Sequence, residues 1–174
     1  MTKIIALNTM ANIFENAFNI SDLEYSKTPE IKPWVNFVSQ INVNEQDYWL
    51  FINLTEDSTI AKADLMSNKK LLHEYRFIFI EEIAEINNKS LFGPIFYEEK
   101  NDAGALVYRT TLELDDSITI EEVVDFIQST IDYGCGAIQE VMDNCLNGIM
   151  KNKNFYYTYA TETLDALYHM GTAI

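Results

Sequence analysis

The chain has 174 residues, 48% of them hydrophobic and 13% aromatic, enough to bury a core without disulfides or metals and too apolar for global disorder. Its 27 acidic and 12 basic residues give a net charge of -15, which repels nucleic-acid phosphates and anionic membrane surfaces and favours a basic partner. Six glycines and three prolines leave little linker material, so residues 1–174 are read as a single α+β domain, with 155–174 as an aromatic C-terminal tail.

The opening apolar run ends at Asn8, too short for a signal peptide, and nothing approaches 18 consecutive apolar residues. A cytoplasmic location is expected. Met10, Ile13, Phe14, Ala17 and Phe18 recur at spacings of three and four, which predicts an amphipathic helix from about Lys3 to Phe18. Asn19 to Pro33 reads as a connector, because Asp22, Ser26, Pro29 and Pro33 are turn residues.

Trp34 to Val43 carries apolar residues on one parity, interrupted by Ser39, and predicts a strand. Asn44–Asp47 reads as a turn. Tyr48 to Leu54 is nearly continuous apolar and predicts a central strand buried on both faces. After a turn at Thr55–Ser58, Ile60 to Met66 is expected to return antiparallel.

Leu72, Tyr75, Phe79, Ile83 and Ile86 fall on one stripe and predict a helix from about Asn68 to Asn88, with Phe77–Ile80 open to a rival reading as strand. Ile95–Glu99 and Leu106–Leu114 read as strands joined by a turn at Asn101–Gly104, the second with strict period-two alternation. Thr119 with Glu122 three residues on forms a capping box. The stripe that follows predicts a helix of about 30 residues, about 45 Å long, part of which is expected to carry a partner surface. Leu164, Leu167 and Tyr168 predict a short final helix.

Equipment for catalysis is sparse. Neither His73 nor His169 has a second histidine at helical spacing or adjoins a cysteine, so no zinc signature arises, and no phosphate-binding glycine loop occurs, so no metal or cofactor is expected. Cys135 and Cys145 lie about 15 Å apart along one helix, beyond the ~7 Å a disulfide tolerates. Gly134 and Gly136 are expected to admit close approach of another element. The acidic run Glu113, Asp115, Asp116, Glu121, Glu122 and Asp125 surrounds a strand-to-helix turn, where it favours the positive helix end.

Tyr48, Trp49, Phe51, Tyr97 and Tyr108 are candidates for a binding surface on the sheet. With one sheet face packed on helices, the opposite face is expected to expose some of Trp49, Phe51, Val107, Arg109 and Thr111, a pattern that marks a protein interface.

The segments Ile83–Asn87, Leu91–Tyr97, Gly104–Leu112 and Thr119–Val123 together resemble the YbjN family in order and character: a helix ending in asparagine, a short strand after a glycine, a turn, a Tyr-Arg strand and a capped helix. The resemblance implies the fold shared with type III secretion chaperones, an α-β-β-β-α-β-β-α order, commonly dimeric, with a non-catalytic regulatory or chaperone-like role and no catalytic residues.

The expected object is therefore a secretion-chaperone-like α+β protein: an antiparallel sheet of about five strands flanked by helices, with a long C-terminal helix. It is expected to be a homodimer that binds a partner protein or peptide through apolar sheet surface, with no nucleic acid and no membrane among its partners. Two alternatives stand beside it. One is an acidic immunity or inhibitor protein that neutralises a basic toxin or nuclease; the other is a metal-dependent enzyme using the acidic cluster near Asp115.

Overall fold

A computed structural model describes residues 6–28, 33–56, 59–90, 93–100 and 103–151. The expected final helix, the aromatic tail and His169 lie outside these residues. The elements run α1 (Leu7–Ile20), β1 (Ser26–Lys27), β2 (Trp34–Val43), β3 (Gln46–Thr55), β4 (Ile60–Ser67), β5 (Leu71–Leu72), a 3-10 turn (His73–Tyr75), α2 (Arg76–Lys89), β6 (Ile95–Lys100), β7 (Ala103–Glu113) and α3 (Ile120–Lys151). Five long strands and three helices follow the expected order. The two-residue strands β1 and β5 were not expected.

Every pairing is antiparallel: β1 with β2, β2 with β3, β3 with β4, β4 with β7, and β6 with β7. β5 pairs with the start of β7, Leu71 opposite Gly104 and Leu72 opposite Ala103. Because β6 occupies the other side of β7 at those same residues, β5 continues the line of β4 after the excursion at Asn68–Lys70. This pairing draws Leu71–Leu72 out of the expected helix, which begins at Arg76 instead of near Asn68.

The β2–β3 turn needs only Asn44 and Glu45, both at positive φ (52° and 64°). Such a two-residue turn matches the right-handed strand twist, so β3 starts at Gln46, inside the expected four-residue turn. Along β3, Tyr48, Leu50, Ile52 and Leu54 are buried while Trp49, Phe51 and Asn53 are only partly so. The strand is thus sealed on one face, not two, as expected from its continuous apolar run.

That sealed face is the core. Phe14 and Phe18 of α1 stack on Phe37, Gly134 of α3 lies against Leu65 and Tyr108, and Phe79 of α2 stacks on Tyr97. All three helices lie on this side. Ser39, which breaks the apolar parity of β2, is buried there because its hydroxyl donates to the Glu24 carbonyl at 2.6 Å. Phe77–Ile80 is helical, with Phe79 buried and Phe77 and Ile80 exposed.

α3 spans 32 residues and opens on the expected capping box. Thr119 N–H donates to Glu122 Oε2 (2.9 Å), and Glu122 N–H donates to Thr119 Oγ1 (3.2 Å). Beside the sheet edge, Asn87 of α2 donates to the Ile95 carbonyl (2.9 Å) and accepts from Ile95 N–H (2.8 Å).

Candidate protein-binding face

With the helices gathered on one side, the pleat sends alternate residues of each strand to the other. The strand register aligns them into cross-strand rows. Gln40, Trp49, Met66, Val107 and Phe96 form one row across β2, β3, β4, β7 and β6. Val38, Phe51, Asp64 and Arg109 form the next, and Asn36, Asn53, Lys62 and Thr111 the third. No helix covers this face among the described residues.

All five expected surface residues stand in these rows, but they are not equally presented. Trp49 and Phe51 are partly buried by their cross-strand neighbours. Trp49 Nε1 donates to Asn68 Oδ1 at 3.4 Å, which ties back its polar edge. Val107 is only 3% exposed, closed in between Met66 and Phe96. Thr111 is exposed.

Arg109 is held, not idle. Its Nε and Nη2 donate to the two Asp64 oxygens at 2.6 and 2.9 Å, and its guanidinium lies 5.1 Å from the centre of the Phe96 ring. Hydrogen bonding to Asp64 first, and the nearby Asp64 and Glu98 charges after it, raise its pKa further. Lys62 approaches Asp64 at 3.2 Å. The charges of this face therefore pair among themselves, leaving Trp49, Phe51, Met66 and Phe96 as its apolar content.

Three of the five aromatic candidates do not belong to this face. Tyr48 and Tyr108 are buried on the helix side, and Tyr97 stacks on Phe79. Their parity is the reason: Tyr48 alternates with Trp49, and Tyr97 with Phe96. Conversely, Met66 and Phe96 complete the first row and were absent from the expectation. The alternation of Ala61, Ala63 and Leu65 with Lys62, Asp64 and Met66 carried the signal for β4, once the partner strand is known.

Asp115 Oδ1 accepts from both Ser117 N–H (2.8 Å) and Ser117 Oγ (2.6 Å), and these bonds lower its pKa. Among the described residues no group of three or more His, Cys, Asp or Glu is placed to hold a metal ion. His73 pairs with Glu99 at the surface, 2.5 Å away. Cys135 and Cys145 are buried thiols, which burial pushes up to about 11 and about 12. Of the two helical glycines, Gly134 meets the expectation of close approach, whereas a Cβ on Gly136 would meet nothing within 4 Å.

No helix among the described residues is long and apolar enough to cross a membrane. No family model and no curated protein matches the chain. Similar solved structures include two. One is the crystal structure of YbjN from E. coli, a proposed transcription regulator: 13% identity, 83% of this chain and 96% of that chain covered, TM-score 0.57. The other is an uncharacterized protein from Methanothermobacter thermautotrophicus, with 11% identity, 76% and 96% coverage and a TM-score of 0.52. The fold is YbjN-like, as the sequence resemblance implied.

Proposed function

We propose that this protein is a non-catalytic protein-binding module, regulatory or chaperone-like, which receives a partner protein or peptide on the helix-free face of its sheet. The observation that carries this is the row Trp49–Met66–Val107–Phe96, an apolar band crossing four strands beside charges that already neutralise one another. An occupant of this band gains hydrophobic contact without stripping water from an unpaired charge. The net charge of -15 keeps the rest of the surface soluble and steers basic partners towards it.

A photoreactive phenylalanine analogue placed at Phe96 tests the proposal in cells of the source organism. Phe96 is expected to yield a covalent adduct with a defined protein, and the same analogue at Tyr133, exposed on α3, is not. Replacing Trp49 with glutamate should abolish the Phe96 adduct while leaving the melting transition in place. Equal adducts from both positions, or none from Phe96, would reject the sheet face as the binding surface.

A further inference from the structure

The middle of α3 and the β2–β3 hairpin enclose a cleft of about 740 Å³ on the helix side of the sheet. Asn44 and Gln46 of the hairpin form one wall. Asp132, Gly136, Gln139 and Asp143, spaced by four, three and four, bring one face of α3 to the other. Asp132 and Asp143 stand about 16 Å apart along the helix axis.

The floor of the cleft holds a polar group that the fold does not use. Tyr48 is only 3% exposed, yet among the described residues nothing hydrogen-bonds its hydroxyl. Buried tyrosine hydroxyls ordinarily have a partner. Burial, and after it the proximity of Cys135 and Asp143, push the Tyr48 pKa up to about 12, so near neutrality the group is an uncharged acceptor and donor. Gly136 keeps the cleft open. A Cβ there would meet nothing within 4 Å, so its missing side chain serves no internal packing, although glycine weakens a helix interior.

Electrostatics select the occupant. Between Ile120 and Met150 the chain carries six carboxylates and no Lys, Arg or His. Three of them, Asp132, Glu140 and Asp143, line the cleft. Gln128 donates to Asp132 (3.0 Å) and Gln139 to Asp143 (2.8 Å), which orients both carboxylates without neutralising them. Lys69 shares the field of Asp143, whereas Glu140 has no ion-pair partner among the described residues. A second copy of this chain brings the same carboxylates and is repelled.

We propose that this cleft binds an extended, arginine-bearing segment of a partner protein. About five residues of extended chain span roughly 17 Å, the length of the carboxylate row. Guanidinium forks match carboxylates through paired hydrogen bonds. The Tyr48 hydroxyl accepts from a guanidinium that reaches the floor, and the peptide backbone passes over Gly136, where no side chain obstructs it.

Fluorescence anisotropy of a labelled hexa-arginine peptide with the full chain tests this, with spermine as the comparison ligand. Saturable binding is expected. Tyr48→Phe removes an oxygen that the fold does not bond and should weaken binding about tenfold, the worth of one hydrogen bond to a charged group. Gly136→Leu leaves the charge unchanged and should abolish binding. Asp132→Asn with Glu140→Gln should weaken it by about tenfold or more, whereas Asp116→Asn with Glu121→Gln removes two charges elsewhere and should leave it within about twofold of the parent. Should Gly136→Leu fold poorly, Tyr48→Phe and the two charge pairs still decide. Equal losses from both charge pairs would overturn the proposal, because the attraction then belongs to the whole surface. So would parent-like binding by Gly136→Leu or Tyr48→Phe, the lack of saturable binding, or spermine binding as tightly as the peptide. Tyr133 lies on the other flank of α3 beside Tyr108, so adducts at Phe96 remain a separate measurement and the two proposals fail independently.

Discussion

Arg109 and Asp64 face each other across β7 and β4 through two hydrogen bonds of 2.6 and 2.9 Å, with side chains only 30% and 22% exposed. A two-pronged pair this sheltered is worth more than an ordinary surface ion pair. A double-mutant cycle on Asp64→Ala and Arg109→Ala is expected to give a coupling of about 1 kcal/mol that weakens in high salt. Chemical denaturation of the four proteins measures it.

Gly134 and Gly136 should respond oppositely to alanine. A Cβ at Gly134 comes within 2.7 Å of Leu65 Cδ2 and Tyr108 Cδ1. Crowding of that kind in a packed interior costs about 1–3 kcal/mol. At Gly136 the added methyl meets open space, and the gain in helix propensity is about 0.5–1 kcal/mol. Thermal melts of the two variants should therefore move in opposite directions from the parent.

Thr119→Ala removes the side-chain acceptor of Glu122 N–H and is expected to cost about 1 kcal/mol. Thr119→Ser should retain most of that stability, which separates the capping bond from the bulk of the side chain.

Alkaline titration offers a fourth test. Burial raises Tyr48 to about 12, Cys145 to about 12 and Cys135 to about 11. Each group is an acid whose folded-state pKa lies above its unfolded value, so the unfolded chain releases the proton first. Their contribution is complete below the unfolded values of 9.0 and 10.0 and is lost as pH rises through the folded ones. The melting temperature should fall progressively between about pH 9 and about pH 12. Under native conditions near neutrality both thiols should resist a thiol reagent, and react promptly once denaturant is added.

Much of this architecture was legible because local patterns and tertiary demands agree. The period-two alternation of β7 and the capped stripe of α3 each match what the fold buries. β1 and β5 were not legible: Ser26–Lys27 and Leu71–Leu72 become strands only because Phe37–Val38 and Ala103–Gly104 arrive beside them. Trp49, Phe51, Val107, Arg109 and Thr111 were assigned to one face correctly. Their ranking was not available, because Val107 is closed in by Met66 and Phe96 from separate strands, and Arg109 is engaged by a residue 45 positions away. Tyr48, Tyr97 and Tyr108 were misplaced for a related reason: aromatic character does not reveal on which side of a pleat a ring falls.

The start of α3 also bears on how the chain reaches its native state. α1 and α2 begin without a side-chain capping bond, whereas α3 has a reciprocal pair and two acids in its first turn. Helix nucleation is the costly step, and isolated helices become viable beyond about 12–15 residues. At 32 residues, α3 is the segment best able to hold transient turns before any strand has paired. We therefore expect it to offer an early ridge onto which Leu65 and Tyr108, its neighbours at Gly134, collapse, so that distant strands dock on a template instead of searching for one another.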